Sequence, residues 1–169
     1  MTREQAISSV DPRQRSEVAS PNHLLFYGAI LIIVVLDQLT KAWAVANLSL
    51  YQPTELFPWL TPIMSLTLTH NTGVAFGLFQ GLGSLFAVVS VLVLVGIFAF
   101  RRTMPADDLW IHLSLGLVVG GAVGNNIIDR LFRGHVIDFF DVNFWPLHNW
   151  PVFNIADSAI VVGVMVLLR

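Results

Sequence analysis

Two aspartates stand where an apolar chain makes acids costly. Asp157 lies in Asn154-Ile155-Ala156-Asp157-Ser158, at the head of the last apolar stretch. Asp138 lies nineteen positions earlier, in Gly134-His135-Val136-Ile137-Asp138-Phe139. Desolvating an ionised carboxyl is strongly unfavourable unless a partner compensates, so an acid at membrane depth is a functional-site candidate by default. Two such acids brought together can share one proton. The ionised one then acts as base towards water and the protonated one as acid towards a carbonyl. Each acid also has a plainer reading. Asp157 stands three after Asn154, the spacing of a capping box at a helix start. Asp138, among Val136, Ile137, Phe139 and Phe140, is either an acid with a pKa raised by apolar surroundings or a solubilising charge on a strand edge.

Other polar groups fall into smaller sets. Asp37 and Lys41 are one helical turn apart, either an ion pair near the membrane edge or a wall of a site. Asn126, Asp129 and Arg133, at i, i+3 and i+7, share a face of one helix. Asp129 can pair with Arg133, and both structural support and direct chemistry stand open for it. Gly116, Gly120 and Gly124 form a small-xxx-small ladder that favours close helix packing. Without cysteine there is no thiol nucleophile, disulfide or thiolate metal site. No H-E-x-x-H, G-x-S-x-G or phosphate loop is present. The histidines lack ligand spacing, and a metal held by His135, Asp138, His148 and Asp157 is the residual metal alternative. A net charge of -2 with no basic stripe argues against nucleic acid. A transporter or proton relay is the rival class, but four spans without repeat halves or paired broken helices fit it poorly. A purely structural membrane subunit is the third, and it requires both acids to be replaceable.

The elements that must position these residues follow from composition. With 55% hydrophobic and 12% charged residues over 169 positions, the chain is too apolar for an ordinary soluble domain. Leu24–Ala46, Leu82–Phe100, Trp110–Ile128 and Ile155–Leu168 are four apolar stretches. They predict a mainly α membrane protein of four transmembrane helices. The last stretch covers about 21 Å of a ~30 Å hydrocarbon core, so its helix starts earlier, near Trp150-Pro151, or the C-terminus is trimmed. Ile63–His70 partly alternates and is rich in Thr and Leu, ended by Asn71-Thr72-Gly73. With an extended His135–Asn143 it predicts a small extracytoplasmic β-sheet. Met1–Asn22 is polar and reads as a disordered cytoplasmic tail before a membrane domain at 23–169. Arg3, Arg13, Arg15, Arg101, Arg102 and Arg169 fall on one side, Lys41, Arg130 and Arg133 on the other. This places both termini in the cytoplasm and both acids on the outer side.

The motifs taken together resemble those of the signal peptidase II family, the lipoprotein signal peptidases. Gly124-Asn125-Asn126-Ile127-Ile128-Asp129-Arg130 is similar to the family's GN-x-x-DR block. Its Asn is taken as Asn126, three before the Asp, with two adjacent Asn where one satisfies the pattern. Gly134–Phe139 resembles G-x-V-x-DF, and Phe153–Ser158 resembles FN-x-ADS. Asp37-Gln38-Leu39-Thr40-Lys41 and Asn71-Thr72-Gly73-Val74-Ala75-Phe76 fit two further blocks. The resemblance implies an inner-membrane aspartic endopeptidase that removes the signal peptide from diacylglyceryl-modified prolipoproteins. It implies a catalytic pair at Asp138 and Asp157, with Asp37, Lys41, Asn71, Asn126, Asp129, Arg130 and Asn154 in support. It implies no metal or organic cofactor, a lipidated prolipoprotein and membrane lipid as partners, and a monomer.

Overall fold

The computed structural model describes residues 21–73, 83–100, 103–105, 107–144, 146–147 and 150–169. Most of the expected N-terminal tail, Arg101, Arg102, Trp145, His148 and the Val74–Phe76 end of one family block lie outside the described residues.

Helix α1 (Pro21–Asn47) opens on a proline, whose missing N–H is no loss in a first turn. Its burial is inverted relative to a soluble helix. Asp37 and Lys41 are fully buried, whereas Leu31 and Leu39 are 65% and 63% exposed. Apolar side chains facing outward and charges facing inward are what a lipid surround demands. The same outward apolar surface continues along α2 (Gly83–Phe100), where Val88, Leu92 and Val95 are exposed.

Helix α3 (Leu109–Ala122) is capped by Asp108, which accepts from the backbone N–H of Trp110 and Ile111 at 3.0 and 3.1 Å. It runs on through a π-helical segment, Val123–Asp129, and one α turn, α4 (Arg130–Arg133). Gly134 ends that turn in the left-handed region, φ 78°, where glycine has no Cβ to clash. The glycine ladder, which runs from α3 into the π segment, faces α1. A Cβ at Gly116 would meet Ala29 Cβ at 2.7 Å, and one at Gly124 would meet Asp37 Oδ2 at 2.5 Å. Helix α5 (Ile155–Leu167) packs on the other side of α3, its Gly163 against Ser114. Phe26, Leu94, Leu115 and Val119 fill the space between α1, α2 and α3.

α1 and the continuous Leu109–Arg133 run are long and apolar enough to cross a membrane, while α2 and α5 are shorter apolar helices. The start expected near Trp150-Pro151 is not found. Phe153 is bridged to Phe140, and Asn154 caps the helix directly, so Phe153 is drawn into a sheet contact instead.

The predicted sheet is present. β1 (Pro53–Thr54), β2 (Met64–Asn71) and β3 (Val136–Val142) form an antiparallel sheet in that order. Leu66, Leu68, Ile137 and Phe139 turn one face onto Ala44 and Leu48 at the end of α1. Strand side chains alternate, so Asp138, between Ile137 and Phe139, points to the other face. Asp141 is half-buried and accepts from Thr67 Oγ1 at 2.6 Å.

Candidate active site

The site is assembled where the free edge of β3 meets the head of α5. Phe153 N–H donates to Phe140 O at 3.0 Å, and Phe140 N–H returns to Phe153 O at 2.8 Å. This pins the residue before Asn154 to the strand that carries Asp138. Asn154, fully buried, then caps α5. Its Oδ1 accepts from Asp157 N–H at 2.9 Å, and Asp157 Oδ2 accepts from Asn154 N–H at 3.1 Å. The capping box read from the spacing is therefore complete.

Capping occupies only one of the Asp157 oxygens. Oδ1 accepts from Asn125 Nδ2 at 2.8 Å. Asn154 also reaches the other acid, with Nδ2 2.7 Å from Asp138 Oδ1. That amide has two hydrogens for three acceptors, since Asn125 Oδ1 and Ile137 O lie at 3.0 and 3.2 Å. Asp138 Oδ2 accepts from Asn71 Nδ2 at 3.0 Å, while Asn71 Oδ1 holds Gly73 N–H at 2.9 Å. One asparagine thus joins both carboxyls, by its backbone to Asp157 and by its side chain to Asp138. Burial, and then the charge of Asp157, push the Asp138 pKa from 3.8 up to about 7. An acid shifted in this direction can keep a proton at a pH where an ordinary aspartate has lost it.

A buried ion cluster supports the pair from below. Lys41 Nζ lies 2.8 Å from Asp37 Oδ2, 2.7 Å from Asp129 Oδ2 and 2.7 Å from Asn125 Oδ1, which uses all three ammonium hydrogens. Asp37 Oδ1 takes Ala156 N–H at 3.1 Å, in the first turn of α5. Asp129 Oδ2 takes Ile137 N–H at 3.2 Å, and its Oδ1 is paired with Arg133 and approached by Gln38 Nε2 at 3.2 Å. The cluster ties α1, the π segment, α5 and β3 to one another around the acids.

Arg130 stands further out. Its Nε donates to Asn126 Oδ1 at 3.0 Å and its Nη2 to Gly73 O, while Nη1 is buried without a hydrogen-bond partner among the described residues. Arg130 also borders an apolar cavity of about 330 Å³ lined by Ala87, Val88, Val91, Leu92 and Leu131.

The predicted residues therefore sort themselves. Asp138, Asp157, Asn71 and Asn154 form one hydrogen-bonded group. Asp37, Lys41 and Asp129 form the adjoining ion cluster. Asn126 does not join them: the π segment carries it away from the i, i+3 alignment with Asp129, and its Oδ1 holds Arg130 Nε one turn on. Its neighbour Asn125 faces the acids instead. Asn125 and Gln38 are the contacting residues not singled out from sequence, although the Asn-Asn pair and the place of Gln38 beside Asp37 were both visible. Among the described residues no cluster of three or more His, Asp or Glu has the arrangement of a metal site. His135 stacks instead on His70, their ring centres 3.9 Å apart, and burial followed by that neighbour lowers the pKa of His70.

The fold is that of a membrane enzyme. Two bacterial membrane enzymes solved by the in meso method, at 2.3 and 1.9 Å resolution, superpose with TM-scores of 0.71 and 0.69. Both are 28% identical to this chain over 83% of its length, covering 82% and 87% of theirs. The family model described as signal peptidase (SPase) II matches residues 29–169, and the chain belongs to that family of peptidases. Among its relatives is the lipoprotein signal peptidase of Moorella thermoacetica, 44% identical over 81% of this chain and 85% of that one. That of Pseudomonas fluorescens is 40% identical over 81% of each chain. That of Rhodococcus jostii is 40% identical over 89% of this chain and 74% of that one.

Proposed function

We propose that this family member removes signal peptides from prolipoproteins by aspartic chemistry, with Asp138 and Asp157 as the catalytic pair. The observation that supports it is the pair of buried acids tied to one Asn154, with the Asp138 pKa raised to about 7. A water held between the carboxyls is the nucleophile. Asp157, which accepts N–H donors on both oxygens at the positive end of α5, takes the proton of that water. Asp138 gives its proton to the scissile carbonyl oxygen, and the tetrahedral adduct forms. In the second half the proton on Asp157 passes to the leaving amine as the C–N bond breaks, and Asp138 recovers its own from the collapsing hydroxyl. The dyad begins and ends with one proton.

The substrate is a diacylglyceryl-modified precursor cut on the N-terminal side of its lipidated cysteine. Each acyl CH₂ contributes about 0.8 kcal/mol of membrane affinity, which confines the scissile bond to the plane of the site. In this reading the substrate carbonyls are held by Asn71 and by Arg130, whose Nη1 has two N–H groups with no partner among the described residues. In this reading α1, α2, the Leu109–Arg133 run and α5 are four spans of a monomer in the bacterial inner membrane. Both termini are cytoplasmic, after a short tail over 1–22, and the sheet lies on the outer side. No cofactor takes part.

The purified protein should release a lipidated product from a diacylglyceryl-modified precursor, and the unmodified precursor should be cut far more slowly. Turnover should be unaffected by a chelator. Loss of activity on chelation, restored by added metal, would replace the dyad by a metal mechanism.

A further inference from the structure

We infer that Asn125, not Asn126, is the asparagine that positions the acid pair, and that the π-helical turn is what brings it there. The inference rests on the proposed dyad. The family block GN-x-x-DR has two residues between Asn and Asp. If Gly124-Asn125 is taken as its GN, this chain carries three: Asn126, Ile127 and Ile128. Taking Asn126 as the Asn preserves the spacing to Asp129 but puts Asn125 where the block has its glycine. Sequence alone cannot choose between these registers.

The backbone chooses. Over Val123–Asp129 the helix widens, and Arg130 N–H donates to Asn125 O, five residues back. An α-helix closes each ring with four residues and a π-helix with five, so a π turn absorbs one extra residue without displacing what lies on either side. Upstream, Gly124 keeps its contact with Asp37, where a Cβ would lie 2.5 Å from Oδ2. Downstream, Asp129 keeps Lys41 and Ile137 N–H. Between them, Asn125 is only 6% exposed and faces inward. Its amide donates to Asp157 at 2.8 Å, and its carbonyl oxygen takes Lys41 at 2.7 Å and Asn154 at 3.0 Å. It is the link between the ion cluster and the acid pair. Asn126 is turned out of that group and holds Arg130 Nε at 3.0 Å.

Asn125 is thus a positioning residue: it acts on the reacting atoms through Asp157. Asn126 has the lesser task of steadying Arg130, which is already held by Gly73 O. Deleting Ile127 would leave Gly124-Asn125 two residues from Asp129-Arg130, the block's own spacing, in which Asn125 can meet Asp157 from a regular α-helix.

The test is steady-state cleavage of a lipidated precursor across pH by five variants and one control. Asn125→Ala should lower kcat by at least about a hundredfold with little change in KM, and should move the acid limb of the pH profile upward, because Asp157 loses its amide donor. Asn125→Asp should not rescue it, since an acid there offers no N–H donor. Asn126→Ala should keep kcat within about threefold and act mainly on KM. Deletion of Ile127 should stay active, and adding Asn125→Ala to the deletion should abolish that activity. A severe kcat loss in Asn126→Ala beside a mild one in Asn125→Ala would overturn the assignment. So would an unmoved acid limb in Asn125→Ala. A deletion variant that is folded but inactive would overturn the role given to the π turn. Asp157→Asn is the control. If it retains turnover, the dyad itself is wrong; if it is inactive while Asn125→Ala is normal, only this inference fails.

Discussion

Replacing Lys41 by methionine removes the ammonium that Asp37 and Asp129 share, while keeping nearly the same volume. Both contacts are short, 2.8 and 2.7 Å, and all three side chains are fully buried. Breaking a buried ion pair by deleting one partner costs about 3–5 kcal/mol, because a charge is left without compensation. Here two carboxylates are left, but Arg133 and Gln38 still donate to Asp129, so the lower part of that range applies. For a chain of this size 1 kcal/mol shifts Tm by about 2–4 °C, giving a fall of roughly 6–12 °C. The assay is thermal unfolding in detergent, followed by tryptophan fluorescence. The double variant Asp37→Asn/Lys41→Met should recover part of the loss, since one of the stranded charges goes with its partner. A single variant melting within about 2 °C of the parent, or a double variant melting well below the single, would refute the account of this cluster as the fold's electrostatic anchor.

Gly124→Ala should destabilise by about 1–3 kcal/mol, visible in the same melting assay, because its Cβ would sit 2.5 Å from Asp37 Oδ2. Asp129→Asn should lower Tm yet leave measurable precursor cleavage, because its partners are Lys41, Arg133 and Ile137 N–H rather than the acid pair. Inactivity at unchanged Tm would move it into the reacting set. Turnover should fall as pH rises through about 7, where Asp138 loses its proton. Stability has the same sign. The native state holds that proton more tightly than the unfolded chain, so the contribution is full below 3.8 and is lost as pH rises to about 7. Melting curves across that window should slope downward for the parent and less so for Asp138→Asn.

Much of this site was legible because it obeys local periodicities. The i, i+4 spacing put Asp37 and Lys41 on one face, and the structure pairs them. The i, i+3 spacing of Asn154 and Asp157 gave the capping box, which the structure completes. The strand expected over Ile63–His70 is found one residue later, at Met64–Asn71. What escaped depends on the third dimension. The two-residue strand Pro53–Thr54 is defined by its partner alone. The late start of α5 follows from the Phe140–Phe153 bridge, a contact thirteen residues apart that no helical periodicity records. The face of Asn126 was misjudged because i, i+3, i+7 assumes 3.6 residues per turn, and the π segment breaks that assumption between Val123 and Asp129. The union of Lys41 with Asp129 joins two helices and had no sequence signature beyond complementary charge.

The central claim is that Asp138 and Asp157 share the work of one proton. Its most direct test is cleavage of a saturating lipidated precursor by purified Asp138→Asn and Asp157→Asn. An amide keeps the shape of the carboxyl but can neither take the proton from water nor return one to the leaving group. The account predicts that each variant, folded as judged by melting, loses at least about 10³-fold in kcat, and that the double variant is scarcely worse than either single one, as for residues that act as a unit. Turnover by either folded variant within about tenfold of the parent, a barrier change of only ~1.4 kcal/mol, would contradict it.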